Sequence, residues 1–228
     1  MKARISAAFF CFVLSTVFLA GCTPSQVLSE GDRQTIRRVS VSPELKFSEN
    51  FTVYHALPNA ISLIAKADGT IGGGLHGEKR GQAEMEAAMR ESNIDVGTIF
   101  YQEFQAQLEA SGKFEVATSR EDADATIALK INAYGLMIGL TFAPPLYPIV
   151  SVNATMTARD GRIVWRQSAG VRPNTGKNKT GYRINEYIED PQRLRAAFQN
   201  ALRLVSQSLV EQLPDKGPRL SGDESRGP

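Results

Sequence analysis

The chain has 228 residues, 42% of them hydrophobic and 22% charged, with 26 Lys and Arg against 24 Asp and Glu, two cysteines and two histidines. That length suits one domain with tails. So few Cys and His exclude the usual His/Cys metal sites and a disulfide-stapled scaffold, and the near-balanced charge excludes the dense basic surface of a general nucleic-acid binder.

The first 21 residues read as a segment outside the fold. Lys2 and Arg4 make a short positive start, and the 16 residues from Ile5 to Ala20 carry no charge. A spanning helix wants about 20 such residues. The stretch ends in Leu19-Ala20-Gly21-Cys22, with small residues where a secretory signal is cut. This order resembles the lipobox of bacterial lipoproteins. The resemblance implies cleavage before Cys22, diacylation of its thiol with palmitate-type chains, and acylation of the new amino terminus. Thr23, where an Asp would mark inner-membrane retention in enterobacterial sorting, implies the outer rather than the inner membrane.

Cleavage there leaves 207 residues and removes Lys2, Arg4 and Cys11, so the mature chain has 24 basic against 24 acidic side chains and Cys22 as its sole cysteine. A thioether at Cys22 excludes a disulfide within the chain. Two or three acyl chains anchor stably where one would be marginal.

Residues 22–33 read as the lipidated cysteine and a polar tether, able to span at most ~40 Å. The folded domain is expected over 34–213. The tail 214–228, rich in Pro, Gly and Ser with balanced charge, is expected to be disordered. Ile36–Val41 reads as a first strand closed by Pro43, and Phe51, Val53 and His55 alternate with Thr52 and Tyr54 as a short second one. Glycines 69, 72, 73, 74 and 77 read as a flexible loop.

Residues 82–112 read as helical. Met85, Ala88, Met89 and Ser92 share a face, Phe104 and Leu108 continue it, Asp95 and Gly97 interrupt it, and Gly112 stands at the C-terminal cap position. Three strands follow. Ala125, Ile127, Leu129, Ile131 and Ala133 form one apolar row, Val150 to Ala158 a second, and Ile163, Trp165, Ala169 and Val171 a third. Asp160-Gly161 reads as a two-residue hairpin turn. That register sets Arg159 opposite Arg162, Thr155 opposite Arg166, and Met156 opposite Trp165 on the apolar face. Asp190-Pro191 opens a last helix as N-cap and first helical residue. Leu194, Ala197, Phe198, Ala201, Leu202, Val205 and Leu209 make its stripe. The fold expected is α+β: a two-layer α/β sandwich, mainly an antiparallel sheet with two long helices on one face.

Candidate chemistry is sparse. A nucleophile needs a base beside it; His55 and His76 are the only histidines, His55 reading as a half-buried strand residue and His76 as part of a mobile loop, and no G-x-S-x-G occurs. The glycine loop around His76 lacks the Gly-Lys-Ser/Thr ending of a phosphate-binding loop. Glu84, Glu86 and Glu91 read as a solvated helix face. No catalytic residue, metal site or cofactor is expected. Arg172, Lys177, Lys179 and Arg183 gather four cations among glycines and asparagines. Such a loop suits a protein partner, headgroups or other anions, and equally a plain solvated loop. Residues 135–149 are unusually apolar for a connection, with Pro144 and Pro145 inside. They fit either a loop folded back on the core or an exposed patch for a partner or membrane.

Gly112-Lys113-Phe114-Glu115-Val116, Ala123-Asp124-Ala125 before a strand, and Asp160-Gly161-Arg162-Ile163-Val164-Trp165 before a last long helix are similar to short motifs of a group of envelope lipoproteins. These are the ABC-transport auxiliary lipoproteins, together with the related TolB N-terminal and CsgG-like domains. The resemblance covers about residues 94–213. It implies a non-enzymatic, lipid-anchored adaptor or accessory on the periplasmic face of the cell envelope, serving a transport or assembly complex. The alternative it implies is an oligomeric pore or secretion subunit of CsgG type, with segments 59–65 and 136–147 entering a membrane.

Overall fold

A computed structural model describes residues 25–55, 75–138, 145–173 and 176–215. In chain order these form α1 (Glu30–Thr35), β1 (Arg38–Val41), β2 (Lys46–Phe47), β3 (Thr52–His55), α2 (Leu75–Glu91), α3 (Val96–Ser111), β4 (Glu115–Val116), β5 (Ala125–Ile138), β6 (Leu146–Ala158), β7 (Ile163–Val171), α4 (Ile184–Glu189) and α5 (Pro191–Glu211).

The fold is α+β, an open sheet with helices packed on it. The main path across the sheet is β4-β1-β5-β6-β7. β5, β6 and β7 are antiparallel neighbours, as the alternation predicts. β6 lies along the whole of one side of β5, so β1, β2 and β3 share the other. They meet it in turn at Ala125–Ile127, Lys130–Ile131 and Gly135–Ile138, all in parallel. The antiparallel half was legible from its period of two. The parallel half is built of pieces two to four residues long, too short to show a period.

One face of the sheet is apolar. Ile127, Leu129 and Ile131 of β5, Val150, Val152, Ala154 and Met156 of β6, and Trp165 of β7 are all buried there. α3 supplies Phe100, Phe104 and Leu108, and α5 supplies its whole predicted stripe from Leu194 to Leu209. Removing each such side chain from water is worth roughly 1.5–3 kcal/mol. That drives α5 onto α3, β6 and β7.

Helix ends follow the capping residues. Asp95 divides the long helical stretch by accepting N–H bonds from Gly97 (2.9 Å) and Thr98 (3.2 Å), which starts α3. Gly112 ends it in the left-handed region at φ 61°, where a Cβ would be strained. Asp190 caps α5 and Pro191 begins it. α2 starts at Leu75, so residues 75–77 of the expected glycine loop have helical backbone, while 69–74 lie outside the described residues.

Four details correct the sequence reading. First, the β6–β7 turn has three residues, not two. Ala158 N–H bonds to the Arg162 carbonyl, and Gly161 N–H to the Ala158 carbonyl, each at 2.9 Å. Arg159 therefore does not face Arg162. Gly161 sits at φ 85°, the left-handed position such a turn requires.

Second, the register shifts again between Met156 and Thr157. That leaves Val164 as an extra residue, so Val164 and Trp165 are both buried while Ile163 is 38% exposed. The two shifts cancel, and Met156 opposite Trp165 and Thr155 opposite Arg166 stand as predicted.

Third, an irregularity between Ile131 and Ala133 moves the inward row of β5 from Ala133 to Tyr134 and Leu136. A bulge inverts the alternation beyond it. The Tyr134 ring then packs edge-on against Phe198 at 6.4 Å.

Fourth, α1 and α4 have no counterpart in the sequence pattern, and Gln26, inside the stretch read as tether, pairs with Arg166 of β7. No described helix is long and apolar enough to cross a membrane.

Candidate functional site

The N-terminal strap crosses from β7 to β1 along the hairpin end of the sheet. Gln26 makes an antiparallel bridge with Arg166, N–H to carbonyl in both directions at 2.9 Å. Its side-chain amide also donates to the Ile163 carbonyl at 2.7 Å. Leu28 is 2% exposed, inserted into the core. Ser29 then caps α1 by accepting from the Asp32 N–H. A pattern of Ser followed three residues on by Asp carried this signal in the sequence.

Asp32 meets the Arg162 guanidinium at 3.3 Å, and Arg162 also binds Asp160 at 2.7 Å. The Arg162 backbone N–H, then its guanidinium, hold the Asp160 carboxyl below its usual range. The two acids in turn raise the Arg162 pKa. The strap closes on Asp124, whose Oδ2 accepts the N–H groups of Arg37 and Arg38, both at 2.9 Å. A depression of about 260 Å³ remains between strap and hairpin, lined by Asp32, Ile36, Asp124, Arg159 and Arg162 among others.

The basic loop lies beyond the other end of β7. Its centre is not a cation but Asn178, 1% exposed. The Asn178 amide donates to the carbonyls of Pro148 (2.9 Å) and Arg172 (2.8 Å). Lys177 and Lys179 flank it and are exposed. The Arg183 backbone N–H donates to Glu186 at 2.7 Å at the start of α4, and its side chain is exposed. The four cations thus sit on one pinned loop, but no described cavity gathers them.

Behind the loop, Tyr182 pairs with Leu146 through the backbone. Tyr187 is fully buried and donates its hydroxyl to the Leu146 carbonyl at 3.0 Å. Burial pushes the Tyr187 pKa far above the ordinary phenol range. The Arg193 guanidinium stands 5.2 Å over the Tyr182 ring.

The described parts of the apolar segment 135–149 are strand, not loop. Gly135 to Ile138 pair with Leu146 to Ile149, and Leu136 and Leu146 are buried. Residues 139–144 lie outside the described residues, as do 59–65. A groove of about 310 Å³ opens between α2 and β5, lined by Phe51, Glu86, Met89, Ile94 and Tyr134 with Asn50 and Arg90. Burial raises the Tyr134 pKa, partly offset by the Phe51 N–H. Phe47, 46% exposed, leans edge-on against this ring.

Cys22 and the lipobox Leu19, Ala20 and Gly21 lie outside the described residues. Among the described residues no group of three His, Cys, Asp or Glu could hold a metal.

No family model matches the chain, and no curated protein matches it. Solved structures do. A PelC dodecamer from Paraburkholderia phytofirmans aligns at 13% identity over 84% of this chain and 95% of its own, with a TM-score of 0.35. A Xanthomonas campestris protein of the DUF330 family model aligns at 17% over 82% and 90%, at 0.37. A minor lipoprotein from Acinetobacter baumannii aligns at 11% over 80% and 98%, at 0.39. At these scores the likenesses carry no argument about what this chain binds or how it assembles.

Proposed function

We propose that the protein is a lipid-anchored, non-enzymatic envelope lipoprotein, an adaptor or accessory of an envelope transport or assembly complex. One observation carries the reading. Lys2 and Arg4, the uncharged run Ile5–Ala20 and Leu19-Ala20-Gly21-Cys22 stand in lipoprotein order, and Gln26, four positions past the cysteine, is already paired with β7. Acylation at Cys22 tethers that domain to the periplasmic face of a membrane, the outer one by the Thr23 rule. The loop bearing Arg172, Lys177, Lys179 and Arg183 is the surface offered to an envelope protein partner. The non-enzymatic reading rests on the sequence, which supplies two histidines and no nucleophile motif.

The oligomeric-pore reading would send residues 136–147 into a membrane. The burial of Leu136 and Leu146 between paired strands favours the adaptor.

Cys22→Ser should lose labelling by a palmitate probe and lose membrane retention; a mutant still labelled contradicts the anchor. Crosslinkers at Lys177 and Lys179 in cells should capture an envelope protein. A large detergent-stable ring made of this chain alone would contradict the adaptor.

A further inference from the structure

We propose that the corner formed by Val27 and Ile163 is the face the domain lays against the phospholipid bilayer that holds its anchor. This rests on the lipidation of Cys22 proposed above and adds to it a fixed orientation.

Gln26 lies four positions past Cys22, a reach of at most ~14 Å. A diacylated thioether sits near the hydrocarbon boundary, and the headgroup layer above it is about 5–8 Å thick. That leaves less than ~10 Å between headgroups and the Gln26 backbone, about the diameter of one helix. Gln26 cannot drift from the domain, because its backbone bridges Arg166, its side chain holds Ile163, and Leu28 is buried just behind it. The end of β7 that Gln26 occupies therefore stays at the membrane.

The surface there is apolar. Val27 is 63% exposed and Ile163 38% exposed; with Phe47 they are the large exposed hydrophobics of the described residues. Val27 follows Gln26 in the chain and Ile163 accepts the Gln26 amide. Two of the three therefore flank the point where the anchor joins the domain.

The nearby charges cancel: Glu30, Asp32 and Asp160 stand against Arg33, Arg162 and Arg166. Arg162 is paired twice and Arg33 meets Glu30 at 3.8 Å. Contact is thus made by side chains sinking among lipids rather than by attraction to anionic headgroups. Two side chains are far too small a patch for a stable protein interface, which needs about 800 Å² per partner.

The test uses the purified acylated protein in phosphatidylethanolamine/phosphatidylglycerol vesicles, with and without nitroxide-headgroup lipid. Once Cys22 is acylated, an introduced cysteine is the sole free thiol. A fluorophore is placed at Val27→Cys, Ile163→Cys or Ser48→Cys. Ser48 is exposed and lies three strands across and farther along the sheet, ~20 Å from Ile163. The labels at 27 and 163 should lose most of their fluorescence to the nitroxide, unchanged by salt, while the label at 48 keeps it. Vesicle-bound protein with unquenched labels at 27 and 163, or equal quenching at 48, overturns the docking but leaves the anchor standing. Labels at 27 that quench each other and are shielded from lipid overturn it in favour of a second copy. Protein that does not float with vesicles overturns anchor and docking together.

Discussion

Gln26 and Arg166 lie 140 positions apart in the sequence and exchange both backbone hydrogen bonds, each at 2.9 Å. The pair turns a residue near the start of the expected tether into an extra partner for the edge strand β7. Under the proposed acylation of Cys22, it also fixes how far the domain can stand from the membrane, four positions along the chain.

Asp124 is the lock at the far end of the strap. Its carboxylate serves two backbone N–H groups, and its own N–H donates to the Arg38 carbonyl at 2.8 Å. Asp124→Ala leaves Arg37 and Arg38 without their acceptor and should cost about 2–3 kcal/mol, read as a lowered urea midpoint. Asp124→Asn, which keeps one acceptor oxygen, should fall between the two. An unchanged midpoint in Asp124→Ala would show that the strap is held elsewhere.

Gly135 is where β3 crosses close to β5. A Cβ there would lie 1.8 Å from the Thr52 carbonyl oxygen, which belongs to backbone and cannot swing aside. Gly135→Ala should destabilise by about 3 kcal/mol or detach β3. Amide exchange at Thr52–His55 separates the two, and wild-type protection with a wild-type midpoint contradicts the geometry.

Asn178 should govern the basic loop. Asn178→Ala leaves the Pro148 and Arg172 carbonyls unserved, at about 2 kcal/mol, and should open residues 172–183 to protease. Asn178→Asp should be worse, because a carboxylate only accepts and would face two carbonyl oxygens. Equal protease resistance in all three proteins would return this loop to an ordinary solvated one.

Alkali should unfold the protein early. Burial raises the pKa of Tyr134 and Tyr187 above the ordinary value of about 10. The folded state holds these protons more tightly than the unfolded state. Their contribution is full below about pH 10 and is lost as pH rises through the folded values. Stability should fall above pH 10, and Tyr134 and Tyr187 should ionise above the ordinary phenol value. Tyr134→Phe and Tyr187→Phe should each remove one late ionisation. Ionisation of Tyr134 and Tyr187 at the ordinary phenol value would contradict the burial.

The long elements were legible because their burial is periodic. The stripe of α5 and the rows of β5 and β6 repeat often enough to outvote any single residue. What failed was local. Val164 and the residues around Asn132 are bulges, and one extra residue inverts a strand's faces without changing its composition. The wrong turn at Asp160-Gly161 still gave the right partner for Trp165, since the bulge at Val164 offsets the longer turn. α1 and α4 are single turns and a half, too short for a stripe, yet Ser29 with Asp32 marked one of them. The basic loop stands out in the sequence by its charges, whereas its order comes from one buried amide between two lysines. The proposed anchor is read from contiguous residues alone, because a lipobox needs no fold.

The account stands on Cys22. Intact-mass and peptide mass spectrometry of the protein extracted from membranes tests it most directly. The account predicts a chain that begins at Cys22, lacks residues 1–21, and carries two or three acyl chains on that residue. A chain that keeps residues 1–21, or begins elsewhere without acyl groups, would contradict it.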